Sequence, residues 1–238
     1  MNTKFLSALT ATAAATALFG AAAPAHAFSF GTNGILFEND TPVTFEFQQT
    51  YGLFISSLGV YQVSGGTPTL LKTLFSEVKG SDSAADNYKG TLGNTVLGSG
   101  VEKFTFLANQ IYTLGLKSVV GGSDRGTVFS TSALNVNSGG TQQALFFNPS
   151  GLLPQIVNAQ DNASFGGNPA NFTSGDTLFT GTTGISFDDR GNANDADFQD
   201  FTVTASAVPE PMTMTGLALG LGGLVAARRR RRSSNTGS

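Results

Sequence analysis

Residues 188–200 read Asp-Asp-Arg-Gly-Asn-Ala-Asn-Asp-Ala-Asp-Phe-Gln-Asp. Five Asp and one Arg give this stretch a net charge of −4 in 13 residues. The apolar runs Ile185-Ser186-Phe187 and Phe201-Thr202-Val203 flank it. A strand-loop-strand unit built on those runs would crowd Asp188, Asp189, Asp195, Asp197 and Asp200. Two unit charges about 4 Å apart repel by about 1 kcal/mol in water and about 4 kcal/mol at an effective dielectric near 20. A hard cation relieves that repulsion, and oxygen ligands from Asp, Asn and backbone carbonyls suit Ca²⁺ rather than a softer metal. The loop is not an EF-hand, because the central Gly and terminal Glu are absent at the required offsets. The same residues also fit a solvated acidic loop closed by Asx-turns with no metal. Paired carboxylates can serve as acid and base in a hydrolase. Adjacent residues on a strand point to opposite faces, however, so Asp188 and Asp189 do not read as a catalytic pair. No catalytic residue is assigned, and the chain is not expected to be an enzyme.

The missing residue types narrow the chemistry further. The chain has no Cys, and its one His, His26, lies close to the N-terminus. Residues 28–208 therefore contain neither. Ser-His-Asp and Cys-His catalysis, Zn sites built on thiolate or imidazole, ordinary haem ligation and disulfide staples are excluded there. That segment is 181 residues long, with 7 basic and 15 acidic side chains and a net charge of −8. Nucleic acid, which needs a basic footprint, is not an expected partner. The length suits one domain with a sizeable core.

The elements that must position the acidic residues read as short strands. Val43-Thr44-Phe45-Glu46-Phe47 alternates with period two. Residues 53–57 and 58–63 follow, with Gly59 at a bend. Residues 70–75 come after the turn Ser64-Gly65-Gly66-Thr67-Pro68. Residues 104–106 and 111–119 flank Ala108-Asn109-Gln110, which reads as a hairpin turn. Residues 144–148, 178–180, 184–187 and 201–205 complete the set. Short alternating segments separated by turn residues predict an all-β fold, an antiparallel sandwich or jelly-roll. Phe fills 18 of the 181 body positions and is expected to supply much of the core. Residues 81–100 and 149–169 read as long surface loops rather than domain boundaries.

Both ends read as processing segments. Lys4, the largely apolar residues 5–23 and the small-x-small site Ala25-His26-Ala27 form a secretory signal over residues 1–27, with a signal helix and cleavage after Ala27. At the other end, Pro209-Glu210-Pro211 precedes residues 212–227, which carry no charge. Arg228, Arg229, Arg230, Arg231 and Arg232 follow, then a small polar tail. As a transmembrane helix, the uncharged span would be about 24 Å long at about 1.5 Å per residue. That is short for a hydrocarbon core of about 30 Å, and snorkelling Arg stems with local thinning make up the difference. Each Arg would cost about 2.5–3.5 kcal/mol at the helix centre, so the cluster stops transfer. This three-part pattern over residues 209–238 resembles the bacterial PEP-CTERM sorting signal. The resemblance implies recognition by an exosortase, a transient inner-membrane anchor, removal of the helix and delivery to the cell surface or extracellular matrix. The alternative is a plain anchor that is never cleaved.

A second resemblance concerns the body. Ile185-Ser186-Phe187-Asp188-Asp189 followed by Asp195-Ala196-Asp197-Phe198-Gln199-Asp200 is similar to the I-x-F-E-D … D-x-D-Y-N-D signature. It belongs to a bacterial domain family of unknown function found in secreted, adhesin-like and calcium-associated proteins. Val128-Phe129-Ser130-Thr131-Ser132-Ala133-Leu134-Asn135 looks like the same family's F-S-x-x-x-L-N segment. Asp188, Phe198 and Gln199 stand where the family usually has Glu, Tyr and Asn. Gln142 and Gln143 lie near where it often has His. The resemblance implies Asp189, Asp195, Asp197 and Asp200 as calcium ligands, with Asn135 a weaker candidate. The function expected is that of an exported, non-enzymatic surface or matrix protein with a calcium-stabilised β domain. The alternative is an exopolysaccharide-binding module. With no Trp, its sugar platform would rest on Tyr51, Tyr61, Tyr88, Tyr112 and surface Phe.

Overall fold

Alternating apolar side chains need a second apolar layer to cover them, and this chain supplies two antiparallel sheets. A computed structural model describes residues 27–81, 88–150, 181–189 and 198–207. Its strands are β1 (Ala27–Gly31), β2 (Gly34–Phe37), β3 (Thr41–Tyr51), β4 (Ile55–Ser64), β5 (Thr67–Ser76) and β6 (Lys89–Gly90). They continue with β7 (Val101–Phe106), β8 (Tyr112–Val120), β9 (Ser123–Phe129), β10 (Ala144–Phe147), β11 (Thr182–Phe187) and β12 (Phe201–Ala207). The first sheet runs β1-β2-β8-β4-β5, with β9 also on β8. The second runs β10-β11-β12-β3-β6, with β7 also on β3. Two short 3-10 turns, Ser132–Leu134 and Val136–Ser138, follow β9. The described residues belong to one compact unit. Among the described residues no helix is long and apolar enough to cross a membrane. The signal and transmembrane helices read from the sequence lie outside the described residues, as do residues 178–180.

Phenylalanine joins the two layers. Phe30 of the first sheet meets Phe146 of the second edge-on, with ring centroids 5.6 Å apart. Phe37 lies 5.3 Å from Phe106, Phe75 lies 6.0 Å from Phe47, and Tyr112 lies 5.1 Å from Phe106. Val43, Phe45 and Phe47 project inward from β3. Each fully buried ring contributes about 1.5–3 kcal/mol. Edge-to-face pairs add to this because the positive ring edge meets a negative ring face.

Turn chemistry sets the first sheet. Gly65 and Gly66 both have positive φ and close β4 onto β5, and Gly121 and Gly122 do the same for β8 and β9. Two successive left-handed residues match the twist of a tight hairpin. The second Gly-Gly pair was a legible signal for β9, a strand the period-two pattern misses. Its sequence, Ser-Asp-Arg-Gly-Thr-Val-Phe, is mostly exposed.

Three sequence expectations need correction. Ala108-Asn109-Gln110 is not a hairpin turn: β7 pairs with β3 in the second sheet, whereas β8 pairs with β2, β4 and β9 in the first. The segment crosses between layers, held by Asn109 N donating to Phe37 O at 2.9 Å and Ala108 N to Asp40 Oδ1 at 2.8 Å. Residues 53–57 and 58–63 are not two runs: one strand, β4, covers residues 55–64, and its pairing to β5 shifts register between Leu58 and Gly59, where the sequence placed a bend. The described part of residues 81–100 is not simply a surface loop. Val96 enters the core, Thr95 is buried, and β6 pairs with the end of β3.

That end of β3 is where the site lies. The register with β12 slips between Thr202 and Val203, so Gln48 stands outside the pairing. A bulge of this kind re-aims the side chains beyond it. Past it, Gln49, Thr50 and Tyr51 are all buried, so the strand end is covered on both faces.

Candidate metal centre

β11 and β12 pair down to Phe187 and Phe201, and Asp200 N donates to Phe187 O at 3.1 Å. The acidic loop therefore leaves and re-enters the sheet at one point. Beyond Phe187 the chain abandons strand geometry. Asp188 N donates to Gln143 O at 3.1 Å, next to the start of β10. Asp189 N donates to Asp200 Oδ2 at 2.7 Å. As a result the neighbours Asp188 and Asp189 do not diverge to opposite faces, which corrects the expectation from strand alternation. Asp188, Asp189 and Asp200 each offer a carboxylate oxygen, and these oxygens lie within 4.8 Å of one another. The three residues are 0%, 7% and 8% exposed.

The distal side of the loop is anchored by strain and hydrogen bonds. Phe198 is buried with φ 46, a region that bulky side chains rarely enter. Its carbonyl accepts from Ser186 Oγ, which also lies 2.6 Å from Thr202 Oγ1. These contacts join the loop's return to both flanking strands. On the β3 side, Tyr51 N donates to Asp200 O at 3.1 Å. Gly52 has φ +96, and a Cβ there would lie 3.4 Å from Asp200 Oδ1. The backbone conformation, rather than lack of space, is what favours glycine at this point.

A fourth carboxyl approaches from the other sheet. Glu77 follows β5, is 6% exposed, and accepts Ser56 N through Oε2 at 2.6 Å. Burial chiefly, with a smaller push from the charge of Asp189, raises it from an ordinary 4.5 to about 8. The Thr50 hydroxyl and the Ser56 amide oppose that rise. Thr50 lies close enough to act on Glu77, yet neither Thr50 Oγ1 nor Glu77 Oε1 has a partner at hydrogen-bonding geometry.

Of the ligands implied by resemblance, Asp189 and Asp200 are brought together, while Asp195 and Asp197 lie outside the described residues. Asp188 joins the cluster although the sequence reading left it out of the ligand set. The Asn135 side chain is engaged by backbone groups. Its Oδ1 accepts from Phe129 N at 2.8 Å, and its Nδ2 donates to Phe129 O at 2.9 Å and Thr141 O at 3.1 Å. It ties the 3-10 turns to β9. Glu77 was not identified from sequence, because nothing in residues near 77 marks them as neighbours of the acidic loop. Ala27 opens β1, paired with Phe37. Ala25, Pro209, Glu210, Pro211 and Arg228 to Arg232 lie outside the described residues. Among the tyrosines considered as sugar platforms, Tyr51 and Tyr112 are buried. Tyr61 is half-buried and edge-on to Phe129, and Tyr88 is exposed.

No protein-family model, curated protein or solved structure matches the chain.

Proposed function

We propose that this chain is an exported, non-enzymatic surface or extracellular-matrix protein whose β domain is stabilised by calcium. One observation carries the destination: Pro209-Glu210-Pro211, an uncharged span and Arg228 to Arg232 occur in that order behind the β body. An exosortase is the processing partner, and the inner membrane is a transient anchor. Calcium is supported by the convergence of Asp188, Asp189 and Asp200, whose oxygens lie within 4.8 Å. Ligands sharing one Ca²⁺ at about 2.3–2.6 Å span that range. The donors are hard oxygens, which fit this ion and not a thiophilic one.

A melting experiment tests the metal. The full-length chain, held in mild detergent, is heated in millimolar Ca²⁺ and again in chelator. A ligand bound only by the folded state stabilises it by about 2.7 kcal/mol at about 100 times its dissociation constant. For a domain of this size that is a rise in Tm of about 5–10 °C. Asp200→Asn should abolish the rise. An unaltered Tm in both solutions would remove calcium from the proposal.

A further inference from the structure

We propose that Glu77 is a ligand of the same ion, so that the metal bridges the two sheets; this rests on the calcium assignment above. The three aspartates all belong to the second sheet, at the ends of β11 and β12. Glu77 belongs to the first, at the end of β5, and Ser56 of β4 holds one of its oxygens. Ser56 is itself tied to β8, its Oγ lying 2.9 Å from Ser118 Oγ.

The two groups meet at the end of β3. Asp200 lies against Tyr51 and Gly52, and Glu77 lies against Thr50. Glu77 lies beside the three aspartates whose oxygens are within 4.8 Å of one another, without being one of that set, and Asp189 is the charged group that acts on it. The free valence is specific. Oε1 of Glu77 and Oγ1 of Thr50 are buried polar atoms without hydrogen-bond partners. The hydroxyl of Thr95, packed near Thr50 over Gly90, is a third. Buried polar groups are nearly always satisfied, so a cluster left open calls for a water or an ion. An anion would be repelled by the converging carboxylates of Asp188, Asp189 and Asp200. A cation satisfies Oε1 and lowers the repulsion between Glu77 and Asp189 in one step. The surrounding segment is fixed in place: Glu77 N donates to Ser56 O at 2.9 Å, Val78 N to Thr95 O at 2.8 Å and Ser81 N to Gly52 O at 2.9 Å.

Calcium titration of the full-length chain by calorimetry tests this, using wild type, Glu77→Gln and Asp200→Asn. Gln keeps an acceptor for Ser56 N, so Glu77→Gln should fold. It should bind Ca²⁺ at least about tenfold more weakly, because affinity follows the number of charged ligands. Wild-type affinity in Glu77→Gln, with binding lost in Asp200→Asn, overturns the role of Glu77 and leaves the aspartate site standing. Absence of Ca²⁺ binding in the wild type overturns both. Hydrogen exchange on the unaltered protein gives a second measure that needs no variant to fold. Calcium should slow exchange at the Ser56 amide as well as at Asp189. Slowing confined to residues 188–201 also overturns the bridge.

Discussion

At the scale of single residues, Glu77 is the group whose surroundings most change its chemistry. Its carboxyl stands at about 8 in the fold against 4.5 outside it, mainly because burial disfavours the charge. A raised carboxyl means that the metal-free folded state holds a proton the unfolded chain gives up. Its stabilising contribution is therefore complete below 4.5 and is lost as pH rises through about 8. Asp189 is the charged group acting on it, and Thr50 and Ser56 soften the effect. The slope is at most about 1.4 kcal/mol per pH unit in that window. In chelator, Tm should fall from pH 5 to pH 8.5, and Glu77→Gln should flatten that fall. An equal slope in the two proteins would assign the pH dependence to other groups.

At the scale of elements, the site depends on how β11 and β12 release and recover the chain. Phe187 and Phe201 are the last paired residues, and Ser186 and Thr202 lie one step inside them. The Ser186 hydroxyl bonds the Phe198 carbonyl and meets Thr202 Oγ1 in a buried setting. Replacing it with Ala leaves two buried polar groups short of a partner. Ser186→Ala should therefore destabilise the domain by about 1–3 kcal/mol and weaken calcium binding together. A loss of stability with unchanged calcium affinity would show that Phe198 does not hold the loop in its binding shape. The end of β3 is the other support. Its bulge at Gln48 and the left-handed Gly52 bring Thr50, Tyr51 and Gly52 between the two acidic groups.

At the scale of the whole molecule, two sheets are joined by aromatic packing in a chain that has no cysteine. A body of this size does not need disulfides to fold. Outside the cell, where calcium is available at millimolar levels, an ion between the sheets would do at one end what a disulfide does elsewhere. Export would then supply the metal as well as the destination. Mass spectrometry of protein released from the host surface should find a C-terminus near Pro209 to Met212. Peptides extending beyond Arg232 in that released fraction would instead identify an uncleaved anchor.

Local pattern was enough for the class of fold. Val43, Phe45 and Phe47 alternate, and alternation over a few residues fixes which face is apolar whatever the rest of the chain does. The same held for the crowding of Asp188, Asp189 and Asp200, because a short loop between paired strands must bring its ends together. Pairing between distant strands was not legible. Residues 104–106 and 111–119 look like hairpin partners, yet they lie in different sheets, since either partner would satisfy the same period-two pattern. Only the assembled sandwich placed Glu77 beside Asp189, more than a hundred residues away in sequence. Burial of both by the two layers, and not any spacing along the chain, makes them neighbours and raises the proton affinity of Glu77.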